Sequence, residues 1–148
     1  MSESKIYLGV YGILVREGKV LFIKKARGPY IGKYDLPGGG INFGETIVDA
    51  LRREILEETG THLKKADFVG INEYRCEYQK EGKMRSFHHI GFYYRVEIKN
   101  GDKLKTEADG QDSLGSPFVS IKDITEENLA PIAYLPLRKV LIGDCEQP

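Results

Sequence analysis

Three glutamates follow a run of glycines in the stretch GGGINFGETIVDALRREILEETG, which spans Gly38 to Gly60. Glu54, Glu57 and Glu58 are spaced i, i+3 and i+4, so on a helix their carboxylates lie within reach of one small region. Carboxylate oxygens are the hard ligands that Mg²⁺ or Mn²⁺ prefers. The spacing therefore indicates a site for a divalent cation.

The residues around these glutamates suit the same chemistry. Arg53 can hold a carboxylate in place through a forked hydrogen bond. Gly38, Gly39 and Gly40 can adopt unusual backbone dihedrals and approach a ligand closely, which leaves carbonyl oxygens for a metal and N–H groups for phosphate oxygens. The glycines and the glutamates are predicted to be two halves of one site.

A helix has to present the three carboxylates. Apolar residues fall in one arc of an ideal helix and predict a helix from about Glu45 to Thr59, packed on a sheet and stopped by Gly60. The three glutamates overlap or border this arc, so we expect them to lean inward rather than into bulk water. Like charges beside apolar residues either have raised pKa values or hold a cation.

The remaining elements indicate a sheet packed against helices. A hairpin is predicted around REGK, two long strands are predicted across KEGK, and a closing helix is predicted with an interruption at Pro131 and a kink at Pro136. The predicted strands are Ile6 to Val15, Val20 to Lys24, Asp67 to Gln79, Met84 to Ile98 and Phe118 to Ile121. A loop rich in glycine and proline precedes the first helix. This order predicts an α/β (α+β) fold with a mixed sheet between helices.

Size and charge limit the function. The chain has 148 residues, which predicts a single domain over residues 1–148, and its 22 basic and 22 acidic side chains give no net field to recruit nucleic acid or anionic lipid. The sequence shows no signal peptide and no apolar run near the ~20 residues of a bilayer span, so we expect a cytoplasmic protein with no membrane partner. Cys76 and Cys145 are far apart, which favours free thiols over a disulfide framework or a zinc site.

The glycine and glutamate stretch resembles a known family motif. Gly39 is followed after five residues by Glu45, and after seven more by Arg53-Glu54-Ile55-Leu56-Glu57-Glu58-Thr59-Gly60. This pattern is similar to the box of the Nudix (MutT-like) hydrolases, and the one departure is Thr61, where the family normally has an aliphatic residue. KYDLPGGGI, residues 33–41, is similar to the segment that leads into the box in family members, with Tyr34 where tryptophan is frequent.

The resemblance implies an αβα sandwich that hydrolyses the pyrophosphate bond of a nucleoside diphosphate linked to another group. By analogy with the family, Glu54, Glu57 and Glu58 would bind Mg²⁺ or Mn²⁺, and Gly39 would offer a backbone carbonyl. Arg53 would orient the glutamates, and Glu45 would support the loop and helix near the site. Gly38 and Gly40 are expected to contact the substrate.

Other candidate residues carry a weaker signal. Family members often add an acidic ligand from a later loop; the candidates here are Glu107, Asp109 and Asp112, and counting back from Phe118 favours Asp112. Arg27 and His89 are candidates for substrate contact, although a strand histidine such as His88 or His89 is more often simply packed or exposed. Tyr78 lies near where dinucleoside-polyphosphate hydrolases of the family carry a tyrosine.

The resemblance favours a small-molecule nucleotide as substrate, with nucleoside triphosphates first, either ordinary or oxidised as in sanitising of the nucleotide pool. The alternatives are an ADP-ribose or dinucleoside polyphosphate pyrophosphatase, and a sensing domain that binds a nucleotide without cutting it. A homodimer is left open.

Overall fold

The computed structural model describes residues 3–25, 29–99, 104 and 117–146, with the side chains of Glu3 and of residues 143–146 left out. The described residues form nine strands and two α-helices, with short 3₁₀ turns at Ile121–Asp123 and Pro131–Ala133. In chain order they are β1 (Glu3–Ile13), β2 (Val15–Arg16), β3 (Lys19–Leu21), β4 (Ile23–Lys24), β5 (Tyr34–Asp35), β6 (Gly38–Gly40), α1 (Ile47–Thr59), β7 (Leu63–Lys80), β8 (Lys83–Ile98), β9 (Phe118–Ser120) and α2 (Tyr134–Glu146). No helix in this part of the chain has the length and apolarity needed to span a bilayer.

The central sheet is mixed, as the sequence predicts. Its strand order is β6-β1-β8-β7, with β1 parallel to β8 and the other two pairs antiparallel. Smaller sheets of β2-β3-β9 and β4-β5 lie beside it. Strands β1 and β8, which come from the two ends of the first hundred residues, are therefore neighbours in the middle of the central sheet.

Both predicted hairpins form around two-residue turns. Glu17 and Gly18 have φ of 51° and 73°, and Glu81 and Gly82 have φ of 54° and 74°. Positive φ at both central positions is the geometry that matches the twist of paired strands. The first hairpin is shorter than predicted, because only β2 pairs with β3 and the long β1 belongs to the central sheet instead.

Helices cover both faces of the central sheet. On one face Ala50, Leu51 and Ile55 of α1 pack with a cluster that includes Val96 and Ile98 of β8. On the other face α2 packs with a cluster that includes Tyr93 of β8. Alternate positions of β8 thus serve two cores, which confirms the layered αβα arrangement.

The ends of both helices follow from local sequence. The Thr46 side chain accepts a hydrogen bond from the Asp49 N–H, and Gly60 ends α1 in the left-handed conformation with φ of 75°. Thr61, the departure from the family pattern, is fully buried, and its hydroxyl pairs with that of Thr59 at 2.7 Å. Pro136 lies in the first turn of α2, where its missing N–H costs no intrahelical bond, so the predicted kink is wrong.

Candidate active site

The three glycines form the edge strand β6 rather than an open loop. Gly38 has φ of 150°, and a side chain there would overlap the Val10 carbonyl oxygen of β1. A Cβ on Gly39 would lie 2.6 Å from Cδ of Glu54 and 2.7 Å from both of its oxygens. The Gly38 N–H donates to Glu58 Oε1 at 3.0 Å. The lack of side chains lets β6 approach the carboxylates of α1 directly.

Arg53 ties this strand to the helix. Its Nε and Nη2 donate to the two oxygens of Glu45 at 2.8 and 2.9 Å, which is a forked pair, and Nη2 also donates to the Gly40 carbonyl at 2.9 Å. Nη1 donates to Glu54 at 2.9 Å and to Glu57 at 3.4 Å. The guanidinium lowers the pKa of Glu45, and its own pKa is raised by the same hydrogen bonds. One side chain therefore positions strand, loop and helix.

The three glutamates differ in exposure. The Glu54 side chain is 16% exposed, whereas that of Glu57 is 58% exposed. Glu58 is half-buried, and the burial of its carboxyl raises its pKa to about 8, although the Lys25 ammonium and the Gly38 N–H act in the opposite direction. Burial also raises the pKa of Glu54. The expectation that all three lean inward is thus wrong for Glu57, which lies at the margin of the apolar arc.

A cavity of about 730 Å³ connects the glutamates to the central sheet. Gly38, Gly39 and Gly40 line one end together with Glu54, Glu57 and Glu58. The other end is mainly aromatic and basic, and is lined by Tyr7, Tyr78, Phe87, Lys5 and Lys80. This volume is in the usual range for sites of small molecules. A ligand with an anionic end and a flat apolar end matches the two ends of the cavity.

His89 lies in the floor of this cavity. Its side chain is 2% exposed, with Nε2 at 2.7 Å from the Tyr11 hydroxyl and Nδ1 at 3.0 Å from the Tyr30 hydroxyl. Burial, and to a lesser degree the Lys25 ammonium, lower the pKa of His89 to about 4. Both ring nitrogens are engaged, so substrate contact by His89 stays a prediction. His88 lies on the opposite face of the sheet, where it pairs with Glu73 at 2.7 Å.

Two residues that the sequence analysis did not single out line the cavity, Lys25 and Asp35. Asp35 is 1% exposed; its Oδ1 accepts the Leu36 N–H at 2.8 Å, and its Oδ2 has no hydrogen-bond partner among the described residues. Burial raises the pKa of Asp35, and the Lys25 ammonium opposes this rise. The position of Asp35 directly before LPGGG was the available signal.

Several candidates lie outside the described residues: Arg27, Glu107, Asp109 and Asp112. The structure therefore brings together Arg53, the three glutamates and the three glycines, with His89 further along the same cavity.

The donor types at the glycine end suit a divalent cation. Three carboxylates and the Gly39 carbonyl would supply oxygen atoms only, and the missing Cβ of Gly39 leaves its backbone close to the Glu54 carboxylate. Within the described part of the chain, no group of three acidic, histidine or cysteine side chains is already arranged to hold an ion. Glu57, exposed and held at 3.4 Å by Arg53, is the side chain that has to turn inward.

Comparisons with known proteins agree with this geometry. Residues 5–140 match the family model described as the NUDIX domain. The chain is 30% identical over 128 residues to an ADP-ribose pyrophosphatase of Methanocaldococcus jannaschii, covering 84% of this chain and 70% of that protein. It is 31% identical over 137 residues to a putative 8-oxo-dGTP diphosphatase of Bacillus subtilis, covering 92% and 77% of the two chains.

A solved structure shows the same fold. The crystal structure of a MutT NUDIX hydrolase from Burkholderia pseudomallei is similar with a TM-score of 0.67 at 21% identity, covering 92% of this chain and 98% of that one. The family match over most of the chain, the likeness to named pyrophosphatases and the shared fold lead to one conclusion: this chain belongs to the NUDIX family of hydrolases.

Proposed function

We propose that the chain hydrolyses a pyrophosphate bond of a nucleotide with Mg²⁺ or Mn²⁺ as cofactor, and that nucleoside triphosphates, ordinary or oxidised, are its leading substrates. The observation that carries this proposal is the placement of Glu54 and Glu57 at the Arg53 guanidinium and of Glu58 at the Gly38 N–H, against the side-chain-free strand β6. Carboxylates concentrated in this way would repel a polyphosphate. A cation between the carboxylates and the phosphates would remove this repulsion.

Each residue has a distinct task in this proposal. Glu54, Glu57 and Glu58 hold the cation together with the Gly39 carbonyl, and a cation bound there would neutralise phosphate oxygens and lower the pKa of a bound water. Arg53 orients Glu54 and Glu57, and Glu45 holds Arg53 through the forked pair. Gly38 and Gly40 keep the strand close enough for the substrate to lie along it.

The far end of the cavity supports a nucleoside as the other half of the substrate. Tyr7, Tyr78 and Phe87 present aromatic surface there, and aromatic rings stack on bases of any identity. The likeness to a putative 8-oxo-dGTP diphosphatase supports a triphosphate substrate. Contact of Arg27 and His89 with the substrate, and of Asp112 with the metal, remain part of the same proposal.

A second candidate is ADP-ribose, because the Methanocaldococcus jannaschii relative is named an ADP-ribose pyrophosphatase. The position of Tyr78 in the cavity keeps a dinucleoside polyphosphate as a further alternative. A non-catalytic nucleotide sensor is disfavoured, because every acid of the box is present. A single domain over residues 1–148 and a cytoplasmic location stay predictions.

A substrate panel tests the proposal. Purified protein with Mg²⁺ or Mn²⁺ is offered ordinary and 8-oxo nucleoside triphosphates, ADP-ribose and dinucleoside polyphosphates, and released phosphate, pyrophosphate and nucleotide are quantified. We expect turnover of a triphosphate, and its loss in Glu57→Gln and Glu58→Gln. Asp49→Asn is the matched control, because Asp49 is on the same helix but is 60% exposed and pairs with Arg52 outside the cavity.

The outcomes separate the alternatives. Turnover of ADP-ribose alone would replace the leading substrate and keep the chemistry. Tight binding of one nucleotide without turnover would establish the sensor instead. Full activity of both glutamine variants would refute the assignment of the metal ligands.

A further inference from the structure

Among the described residues, one face of the central sheet is covered over only part of its length. Helix α1 packs on this face against Val10 of β1 and against Val96 and Ile98 of β8. Strand alternation and register place further apolar side chains on the same face, outside the cluster formed with the helix: Ile6 and Leu8 of β1, Ile90 of β8, and Ile71 of β7. We call these residues, together with Phe68, the bare face.

Side chains on the bare face are open to solvent. Ile6 is 65% exposed, Leu8 48%, Phe68 57% and Ile71 61%. Positions 71, 73, 75 and 77 of β7 are all exposed, whereas positions 72, 74, 76 and 78, which point to the opposite face, are half-buried. The exposure is therefore shared by neighbouring positions of β1 and β7 on one face, with half-buried Ile90 of β8 between them, and is not confined to scattered single residues.

The size of the bare face matches a protein contact. The four most exposed side chains present on the order of 500 Å² of apolar surface, which is at the upper end of what monomeric proteins expose. Charged residues at its margin add to this area, so the face approaches the ~800 Å² that each partner contributes to a standard interface. A sheet face of this kind is commonly covered by a second sheet packed at ~10 Å.

The charges at the margin favour a second copy of the same chain. Glu73 and Glu77 lie on this face beside Arg75 and His88, so the margin carries both signs. In a two-fold dimer the same patch meets itself, and a patch with both signs can pair its acids with its own bases. Because the margin carries both signs, it has no field of one sign that would attract a strongly acidic or basic partner. The formal charge of the chain is zero, so two copies do not repel each other.

We propose that two copies of this chain form a two-fold dimer by packing their bare faces together, sheet on sheet. The aromatic end of the cavity lies on the opposite face of the sheet, where Tyr7, Phe87 and His89 point. The aromatic end of each cavity thus stays clear of the contact. This inference is independent of the substrate and of the metal.

The test measures molar mass in solution. Light scattering after size exclusion and sedimentation velocity are run on the full chain from about 1 to 100 μM, a range that covers weak and strong association. The variants are Ile6→Glu and Ile71→Glu, which place a charge at positions exposed in the single chain. The matched control is Leu135→Glu on α2, which is 59% exposed and lies outside the bare face.

We expect the unchanged chain and Leu135→Glu to have twice the chain mass of 16.7 kDa. Ile6→Glu and Ile71→Glu should be monomers, with the dimer dissociation constant raised about a hundredfold or more because each change acts twice in a symmetric contact. Their circular dichroism should match that of the unchanged chain, whereas their Tm should no longer rise with protein concentration. A monomeric unchanged chain at the highest concentration, a dimer that survives both changes, or open-ended assemblies would each overturn the proposal.

Discussion

The three glycines of β6 should respond differently to alanine, and Gly39 gives the sharpest prediction. In Gly39→Ala the new methyl group would lie 2.6 Å from Cδ of Glu54. Because carbon atoms pack at about 3.5–4.0 Å, the carboxylate has to move by on the order of 1 Å. A displacement of that size at a reacting centre costs about 10²-fold in rate. The backbone of Gly39 has no positive φ, so the fold accepts alanine and gains up to ~1 kcal/mol from a less flexible unfolded chain.

Gly38→Ala should instead damage the fold. The φ of 150° costs an alanine about 1–3 kcal/mol, and the overlap with the Val10 carbonyl adds about 1–3 kcal/mol because the backbone of β1 cannot yield without losing its pairing. At about 2–4 °C per kcal/mol, Tm falls by roughly 5–20 °C. Gly40→Ala is the comparison for stability, since its Cβ meets only the Tyr7 side chain, which can turn and whose hydroxyl lies 3.0 Å away.

The assay compares kcat/KM on the best substrate of the panel with Tm by circular dichroism. Gly39→Ala should lose rate and keep Tm, Gly38→Ala should lose Tm, and Gly40→Ala should change Tm only slightly. A fully active Gly39→Ala would show that the position of Glu54 does not matter to the reaction. Equal losses of Tm at positions 38 and 39 would refute the account of how β6 approaches the helix.

Three further predictions concern Arg53, His89 and the cation. Arg53→Lys cannot form the forked pair with Glu45, so kcat should fall about 10²-fold with KM less affected, whereas Arg52→Lys, at a 53% exposed position, should leave kcat unchanged. Folding lowers the pKa of His89 from 6.5 to about 4, so the unfolded state binds more protons than the folded state between these two pH values. The stability that His89 contributes is therefore complete above pH 6.5 and is lost as the pH falls toward 4. The difference in unfolding free energy between the unchanged chain and His89→Gln, from urea titrations at several pH values, should therefore change by about 3 kcal/mol over that interval, and a pH-independent difference would contradict it. Chelation by EDTA should abolish hydrolysis without changing circular dichroism, and added Mg²⁺ or Mn²⁺ should restore it; activity that persists in EDTA would exclude the cation.

Local signals predicted α1 and its surroundings well. Gly60 ends the helix as predicted, whereas the helix begins at Ile47 with Thr46 as its cap, two residues after the predicted start. The spacing from Gly39 to Glu58 was enough to predict that the glycines meet the helix, although the glycines form a strand rather than a loop. The exposure of Glu57 was not predictable from helix angle, because it depends on Arg53 and on where the cavity opens. Hydrophobic alternation marks a strand but does not name its partner, so the parallel pairing of β1 with β8 could not be deduced. Lys25 could be assigned to the cavity only from the structure, because no sequence pattern connects it to the glycines or the glutamates.

That parallel pairing also sets the order in which the protein can assemble. Glu3 pairs with Arg85 and Ile13 with Arg95, so each pair joins residues 82 positions apart. Long-range contacts form slowly because the intervening chain has to be closed first. At synthesis rates of about 5–20 residues per second, β1 leaves the ribosome roughly 4–16 seconds before its partner. The side chains of Tyr11 and His89, which share a hydrogen bond in the cavity floor, come from these two strands. The cavity floor is therefore completed late, and we expect nascent chains shorter than about 95 residues to lack it.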